Sequence, residues 1–258
     1  MVEPGEDKAY FEGFERDFVA VEGGKLSFLR RAGHGLPVVL IPGSFSDARQ
    51  WVDVVGLLPE NMPLVLVELR GHGGSWPPTM NGSIELFAAD VIRIVDRLEL
   101  KEYAVGGHSI GGMVAIEVAR LRPGSVRVVI SIEGWTNHRA AKDAFGGDMR
   151  NTLTPEQEAR RVAERERVTA KWSEEQFRHF GTCWRQWCGH DFLCETDVPV
   201  LEVYGDRGKA KPTLAALGIP DKPSIEVRWV EGASHSLPLE RPDAVAEAIR
   251  GCWARVGR

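Results

Sequence analysis

The chain has 258 residues, with 43% hydrophobic and 27% charged side chains, a composition that excludes intrinsic disorder and collagen-like repeats and suits an α/β domain. Its formal net charge of −5 at pH 7 argues against a nucleic-acid-binding protein, which normally carries a basic face. No apolar stretch approaches the roughly 18 residues that cross a bilayer, and the acidic N-terminal residues lack the basic-then-apolar pattern of a signal peptide. We therefore expect a cytoplasmic protein that binds neither nucleic acid nor a membrane.

The four cysteines predict neither a disulfide scaffold nor a metal site. They are too few to staple a chain of this length. Three of them, Cys183, Cys188 and Cys194, cluster near His190, but no two have the C-x2-C spacing that is common in zinc sites. We expect them to pack as small hydrophobic residues, and the sequence predicts no cofactor.

Eight short apolar runs alternate with longer segments of helical periodicity, which predicts a mostly parallel sheet flanked by helices. The predicted strands are residues 18–21, 25–30, 38–41, 64–69, 103–107, 126–133, 200–204 and 225–230. The first two predict an antiparallel hairpin around Gly23-Gly24, whereas runs such as 38–41 are apolar throughout, as in strands buried on both faces. Ser83 is a predicted helix N-cap, and a further helix is predicted over 241–256.

Residues 136–197 differ from the rest because they contain charges of both signs and no strand-like run. Thr154-Pro155-Glu156-Gln157 and Ser173-Glu174-Glu175-Gln176 both match the capping box that opens a helix. The sequence therefore predicts one core domain, formed by residues 1–135 and 198–258, with a small helical cap at 136–197 inserted after the sixth strand.

The most informative motif is Gly107-His108-Ser109-Ile110-Gly111, a G-x-S-x-G sequence placed where a predicted strand ends and a helix begins. A strand that turns abruptly into a helix needs very small neighbours, and it exposes the serine hydroxyl above the edge of the sheet. Two nucleotide-binding motifs fail nearby. Met113 stands where a phosphate-binding loop needs lysine, and Trp76 stands where a dinucleotide fingerprint beginning at Gly71 needs glycine.

With this motif in place, residues from about 18 to 257 resemble the α/β-hydrolase superfamily, in its serine-nucleophile branch (the esterase- and lactonase-like members), with the cap left unmatched. Three other segments carry the resemblance: 38–44, where Pro42 replaces the family's more usual histidine; 68–75, similar to the D-x-R-G-x-G-x-S loop with Glu68 in place of aspartate; and 232–235, followed by Glu240-Arg241-Pro242. The resemblance implies an eight-stranded α/β-hydrolase fold.

The resemblance also implies roles for particular residues. Ser109 would be the nucleophile, and His235, which lies in a short Gly/Ser loop after a late strand, would be its general base. The backbone N–H groups of Ser44 and Ile110 would form an oxyanion hole.

The third member of the triad is open between two carboxylates. The family's acid usually follows the strand at 200–204, three residues beyond a glycine, but Gly208 holds that position here and Asp206 lies two residues earlier. A second family location follows the preceding strand, where Glu133 stands beside Ile132. A carboxylate in such surroundings is costly to bury without a partner such as His235, which favours Glu133 and leaves Asp206 as the alternative.

Trp135, Trp184 and Trp187 are expected to line an apolar substrate cavity, with Trp184 and Trp187 on one face of a helix. The resemblance implies a cofactor-independent serine hydrolase that cleaves a small carboxylic ester, lactone or thioester through an acyl-enzyme on Ser109. Three alternatives stay open: a cofactor-free dioxygenase, a carbon–carbon hydrolase of the same fold, and a small-molecule receptor with little turnover. The sequence does not distinguish a monomer from a dimer.

Overall fold

The computed structural model describes residues 10–145 and 152–256, and its centre is an eight-stranded sheet with the strand order β1-β2-β4-β3-β5-β6-β7-β8. The strands are β1 (Glu15–Val21), β2 (Gly24–Arg31), β3 (Val38–Ile41), β4 (Leu64–Val67), β5 (Tyr103–His108), β6 (Val126–Ile132), β7 (Val200–Gly205) and β8 (Ile225–Val230). β2 pairs antiparallel with both β1 and β4, and every other pair of neighbours is parallel. The mostly parallel eight-stranded sheet is therefore confirmed.

Helices cover both faces of this sheet and fill the insert after the sixth strand. In the described residues they are α1 (Val52–Val55), α2 (Ile84–Arg97), α3 (Ile110–Leu121), α4 (His138–Phe145), α5 (Pro155–Thr169), α6 (Glu174–Phe180), α7 (His190–Glu195), α8 (Leu214–Leu217), α9 (Leu237–Glu240) and α10 (Pro242–Val256). A 3-10 turn at Ala48–Trp51 precedes α1. None of these helices has the length and apolar composition to span a bilayer.

The alternation of side chains along a strand divides the core into two layers. On β3, Val39 and Ile41 belong to the apolar cluster that includes α2 and α3, whereas Val38 and Leu40 belong to the cluster that includes α1 and α10. All four side chains are fully buried, which explains why this strand is apolar throughout.

The inserted helices are fastened to the core by long-range polar contacts. Arg160 of α5 pairs with Asp53 of α1 at 2.8 Å, and Arg167 pairs with the buried Asp47 at the start of the 3-10 turn. Gln157 of α5 donates a hydrogen bond to the carbonyl of Leu239, at 2.9 Å. These contacts fix α5 beside the loop that follows β3. Residues 146–151 of the predicted cap lie outside the described residues.

The cysteines near His190 are more exposed than we expected. Cys188 and Cys194 are exposed, Cys183 is partly buried, and all are free thiols. The Cys194 Sγ lies 3.5 Å from His190 Nε2, while His190 Nδ1 bonds the Gly218 carbonyl at 2.7 Å. Within the described ranges, no group of three side chains is arranged to hold a metal ion.

The turn between β5 and α3 holds Ser109 in a strained conformation, with φ of 55° and ψ of −122°. Its N–H donates to the carbonyl of Ile132 on the neighbouring strand, at 2.8 Å. A Cβ on Gly107 would lie 2.2 Å from the Gly111 oxygen, and a Cβ on Gly111 would lie 2.3 Å from the Ile41 oxygen. Both contacts are with backbone atoms that cannot swing aside, so this turn requires glycine at both positions.

The close approach at Gly111 yields a first test. We expect Gly111→Ala to lower the free energy of unfolding by more than about 2 kcal/mol, because the new methyl group must displace buried backbone. Gly251→Ala is the matched control: Gly251 lies in α10 with open space where the alanine methyl group would lie, so alanine there should stabilise by about 0.5–1 kcal/mol. Urea unfolding of both variants measures the difference, and equal stabilities would contradict the tight turn.

Candidate active site

Ser109 and His235 meet at the carboxyl edge of the sheet. Ser109 immediately precedes α3, and His235 lies on the loop between β8 and α9. The Ser109 Oγ is 3.0 Å from His235 Nε2, within hydrogen-bond distance. Two residues that are 126 positions apart in the chain are thus joined by the fold.

Glu133 is the carboxylate that reaches the same imidazole. It follows β6 directly, in a left-handed backbone conformation with φ of 51°, and it is fully buried. Its Oε2 is 3.1 Å from His235 Nδ1, and its Oε1 accepts the Gly205 N–H at 2.7 Å. Because a carboxylate oxygen only accepts, the His235 Nδ1 carries the proton and Nε2 is free to accept one.

Arg207, on the loop after β7, completes the surroundings of Glu133. The guanidinium donates to both carboxylate oxygens, at 3.2 and 2.7 Å. It also contacts the ring of Phe145, 3.9 Å from the ring centroid. Burial works to raise the pKa of Glu133, but the bonds with His235 and Arg207 outweigh it and lower that pKa, so the carboxylate stays charged.

The structure does not bring Asp206, the other candidate acid, to the imidazole. Its Oδ1 accepts the backbone N–H groups of Gly208 and Gly232, at 2.9 and 2.8 Å, and no described hydrogen bond joins it to His235. Asp206 therefore ties two loops together, while Arg207 beside it turns inward to Glu133.

His108 positions the loop of His235 from behind, a contact that the sequence did not predict. Its Nε2 is 2.7 Å from the His235 carbonyl oxygen, which can only accept, so Nε2 carries the proton. Burial, aided by the nearby charge of His235, lowers the pKa of His108 to about 3, and the ring stays neutral. A neutral donor here holds the backbone of His235 without adding charge to the site.

The loop after β3 presents the Ser44 amide to the cavity. The N–H of Gly43 is bound by Gln50 Oε1 at 2.8 Å, and that of Phe45 by His72 Nε2 at 3.1 Å. The Ser44 N–H between them has no acceptor within the described ranges. Gln50 and His72 therefore hold this loop in place and leave one amide free.

Ile110 supplies the other amide that the sequence analysis named. It is the first residue of α3, and the first N–H groups of a helix have no partner within the helix. Ile110, Ser44 and Ser109 all line one cavity. The two amides are therefore available to an oxygen atom bound beside Ser109.

This cavity has a volume of about 380 Å³. It is bounded by the core and by the inserted helices, and its lining residues are Ser44, Phe45, Ser46, Gln50, His108, Ser109, Ile110, Met113, Trp135, Arg161, Arg165, Gly181, Trp184, His235 and Ser236. The Trp135 ring lies 5.2 Å from the His235 ring and 5.8 Å from Trp184, measured between centroids. Two of the three predicted tryptophans therefore face the serine.

Trp187 does not line this cavity. Its Nε1 donates to Glu117 of α3 at 3.0 Å, and the side chain is buried. Trp184 lies in a turn and Trp187 in irregular backbone between α6 and α7, not on a helix, so the three-residue spacing does not place them on one face. The expectation for Trp187 was wrong because it assumed helical periodicity in a segment that has none.

A second buried carboxyl group, Glu202 of β7, lies behind the site and is neutral. The Tyr204 hydroxyl is 2.9 Å from the Gly134 carbonyl oxygen and 3.1 Å from Glu202 Oε2. The Gly134 carbonyl also accepts from the Ser131 hydroxyl, at 3.2 Å, so the Tyr204 hydroxyl can donate its proton to Glu202. Burial above all, with the charge of Glu133 adding to it, raises the pKa of Glu202 to about 8.

Comparison with known proteins places the fold in a family. The model of the alpha/beta hydrolase family matches residues 38–248. The chain is 26% identical over 245 residues to "Putative carbamate hydrolase RutD" of Azorhizobium caulinodans, covering 85% of this chain and 91% of that protein.

Solved structures share this fold while their names describe different reactions. The enol-lactonase from Burkholderia xenovorans LB400 aligns with a TM-score of 0.74 at 21% identity, covering 92% of this chain and all of that one. The haloalkane dehalogenase DbeA from Bradyrhizobium elkani USDA94 aligns with a TM-score of 0.73 at 17% identity, covering 94% of this chain and 98% of that one. The reaction must therefore be argued from the side chains.

The neutral state of Glu202 predicts how stability depends on pH. The pKa in the folded protein, about 8, lies above the ordinary 4.5, so the contribution to stability is complete below pH 4.5 and is lost as the pH rises to 8. Between about pH 5 and pH 8.5, we expect the free energy of unfolding of Glu202→Gln to rise relative to wild type by about 2–5 kcal/mol. Urea unfolding at both values measures the shift.

Glu247→Gln removes an exposed carboxylate on α10 and serves as the control. Its stability should follow that of the wild type at both pH values. If the curves of wild type and Glu202→Gln also ran parallel, Glu202 would be ionised throughout and the proton assignment would be wrong.

Proposed function

Because the chain belongs to the alpha/beta hydrolase family, we propose that it is a serine hydrolase that cleaves a carboxylic ester, lactone or thioester through an acyl-enzyme on Ser109. The observation that carries the proposal is the series of hydrogen bonds from Ser109 Oγ to His235 Nε2, at 3.0 Å, and from His235 Nδ1 to Glu133, at 3.1 Å. The backbone at both ends of this series, Ser109 and Glu133, has a positive φ. The series lies at a cavity that admits a small molecule.

In the acylation step, His235 Nε2 takes the hydroxyl proton of Ser109 while Oγ forms a bond to the acyl carbon. The carbonyl electrons move to oxygen, and the amides of Ser44 and Ile110 donate to the oxyanion, each contributing roughly 3 kcal/mol. The bond to the leaving alcohol or thiol then breaks, and the leaving group takes the proton from His235.

In the deacylation step, a water molecule gives a proton to His235 and attacks the acyl carbon. The Ser109 oxygen leaves and recovers that proton, so one water is consumed and the acid is released. The residues named here supply every proton transfer, and the proposed reaction needs no cofactor.

Glu133 stabilises the imidazolium that forms in each step. A fully buried carboxylate beside a cation is worth more than an exposed pair, because little water screens it. Arg207 shares the same carboxylate, so Glu133 is held in one orientation before the imidazole becomes charged. Without water around it, the carboxylate stays ionised partly because the Arg207 guanidinium stabilises its negative charge.

A carbamate is the second substrate class to test, favoured by the name of the relative from Azorhizobium caulinodans. Its carbonyl carbon is bonded to both oxygen and nitrogen, and attack by Ser109 would follow the same steps with a carbamoyl-enzyme in place of the acyl-enzyme. The oxygenase, carbon–carbon hydrolase and receptor alternatives predict other outcomes in the same assay.

We expect multiple turnovers of p-nitrophenyl butyrate, measured by absorbance, and a loss of about ten-thousandfold in kcat/KM in Ser109→Ala, because the nucleophile is gone. A single stoichiometric release of p-nitrophenol would favour a receptor, and turnover that survives in Ser109→Ala would place the reaction elsewhere. Oxygen uptake on a heteroaromatic substrate, without ester turnover, would favour the dioxygenase.

The two carboxylates provide a matched pair of variants in that assay. Glu133→Gln should lower kcat by about a hundredfold to ten-thousandfold, because an amide does not stabilise the imidazolium. Asp206→Asn keeps an oxygen for the amides of Gly208 and Gly232, and it should stay within about tenfold of wild type. Circular dichroism must show both variants folded, since Glu133→Gln also removes the ion pair of Arg207. The reverse order of activities would assign the acid to Asp206.

A further inference from the structure

The charge of the cavity is one-sided. Its lining residues include Arg161 and Arg165, both on α5, and no aspartate or glutamate. The whole chain carries a net negative charge of −5, so a cavity whose lining contains two arginines and no carboxylate is not a consequence of overall composition. A positive cavity concentrates anionic ligands.

The two arginines differ in how their charges are compensated. Arg161 forms a two-pronged ion pair with Glu158 of the same helix, at 2.5 and 2.8 Å. Arg165 forms no ion pair with any carboxylate of the described residues. Arg165 is exposed, and its guanidinium lies 5.4 Å from the ring centroid of Phe45 and 5.0 Å from that of Phe177, contacts that do not use its N–H donors.

The arrangement of the two arginines destabilises α5. Arg161 and Arg165 are four residues apart and therefore lie on the same face of α5, where like charges repel. The carboxylates close to this face are engaged elsewhere: Glu164 accepts the Asp47 N–H at 3.2 Å, and Asp47 pairs with Arg167. An anion bound in the cavity would relieve the repulsion.

Aromatic contacts place the Arg165 guanidinium near the loop that carries the Ser44 amide. Phe45, which stacks on Phe177 with centroids 4.6 Å apart, is adjacent in sequence to Ser44. The same aromatic pair thus contacts the guanidinium and borders the loop that carries the Ser44 amide. A substrate whose acyl group is transferred to Ser109 would lie in the same cavity as Arg165.

We infer that the substrate is an ester, lactone or thioester that carries a carboxylate group, and that Arg165 binds this carboxylate while Ser109 attacks the acyl carbon. The inference rests on the proposed function and adds to it the charge of the substrate. The chemistry favours a carboxylate over a metal or a cation, because guanidinium groups pair with planar oxyanions through two parallel hydrogen bonds.

The test compares two substrates that differ only in this charge, mono-p-nitrophenyl adipate and its methyl ester. In wild type we expect kcat/KM for the monoanion to exceed that for the neutral diester by about 10- to 100-fold, the range for a charge-assisted hydrogen bond. In Arg165→Gln this ratio should fall to near one. The ratio is measured within each protein, so a general change in activity does not affect it.

Arg178→Gln is the matched control, because it removes the same charge from an exposed residue of α6 that does not line the cavity. It should keep the ratio of wild type. A wild-type ratio of one or below, or a ratio that Arg165→Gln leaves unchanged, would overturn the inference. A ratio that falls equally in Arg178→Gln would assign the effect to overall charge and would also overturn it.

A binding measurement separates this inference from the proposed function. Trp135 and Trp184 line the cavity, so their fluorescence reports occupancy in the Ser109→Ala protein without turnover. We expect saturable binding of monomethyl adipate, much weaker binding of dimethyl adipate, and loss of the difference when Arg165→Gln is added. If neither ester were hydrolysed by wild type but the monoanion bound through Arg165, the proposed function would fail and the anion site would stand. If wild type hydrolysed the neutral ester but binding showed no preference for the monoanion, the proposed function would stand and the anion site would fail.

Discussion

The buried charge of Glu133 is the constraint on which the site depends. A carboxylate with no contact to water must find partners within the protein, and those partners come from different segments: the Gly205 amide at the end of β7, Arg207 on the next loop, and His235 after β8. Satisfying one anion therefore determines the course of both loops. The same loops place the imidazole of His235 beside Ser109. The geometry of the proposed chemistry therefore follows from the hydrogen bonds that the buried Glu133 carboxylate requires.

The neutral imidazoles of His72 and His108 hold the loops around the site without adding charge to it. Burial lowers the pKa of His72 to about 4 and that of His108 to about 3, so both rings stay neutral. His72 holds the Phe45 amide and His108 holds the His235 carbonyl. Charged rings at these places would add positive charge around the nucleophile, and a charged His72 could no longer accept the Phe45 N–H. Buried histidines here hold neighbouring backbone, whereas His235 is the imidazole that takes the proton in the proposed mechanism.

Local sequence patterns predicted the sheet well, because strands buried on both faces are apolar throughout, and the tight turn at Ser109 depends on adjacent glycines. β1 begins three residues before the prediction, at Glu15, since an edge strand is partly exposed and tolerates charge. The sequence favoured Glu133 but left Asp206 open, because both follow neighbouring parallel strands and only the course of the loop decides that Arg207, not Asp206, turns inward. The docking of α5 likewise depends on distant pairs such as that of Arg167 with Asp47, and so the arginines in the cavity went unnoticed.

The central claim is that His235 activates the hydroxyl of Ser109, and covalent labelling tests it most directly. A fluorophosphonate reacts rapidly with serine only where a neighbouring base and an oxyanion hole assist. Intact-mass and peptide mass spectrometry should find one phosphonyl group per chain, on Ser109, with the labelling rate lowered by about a thousandfold or more in His235→Ala. Labelling at another residue with Ser109 unmodified, or an equal rate in His235→Ala, would contradict the account.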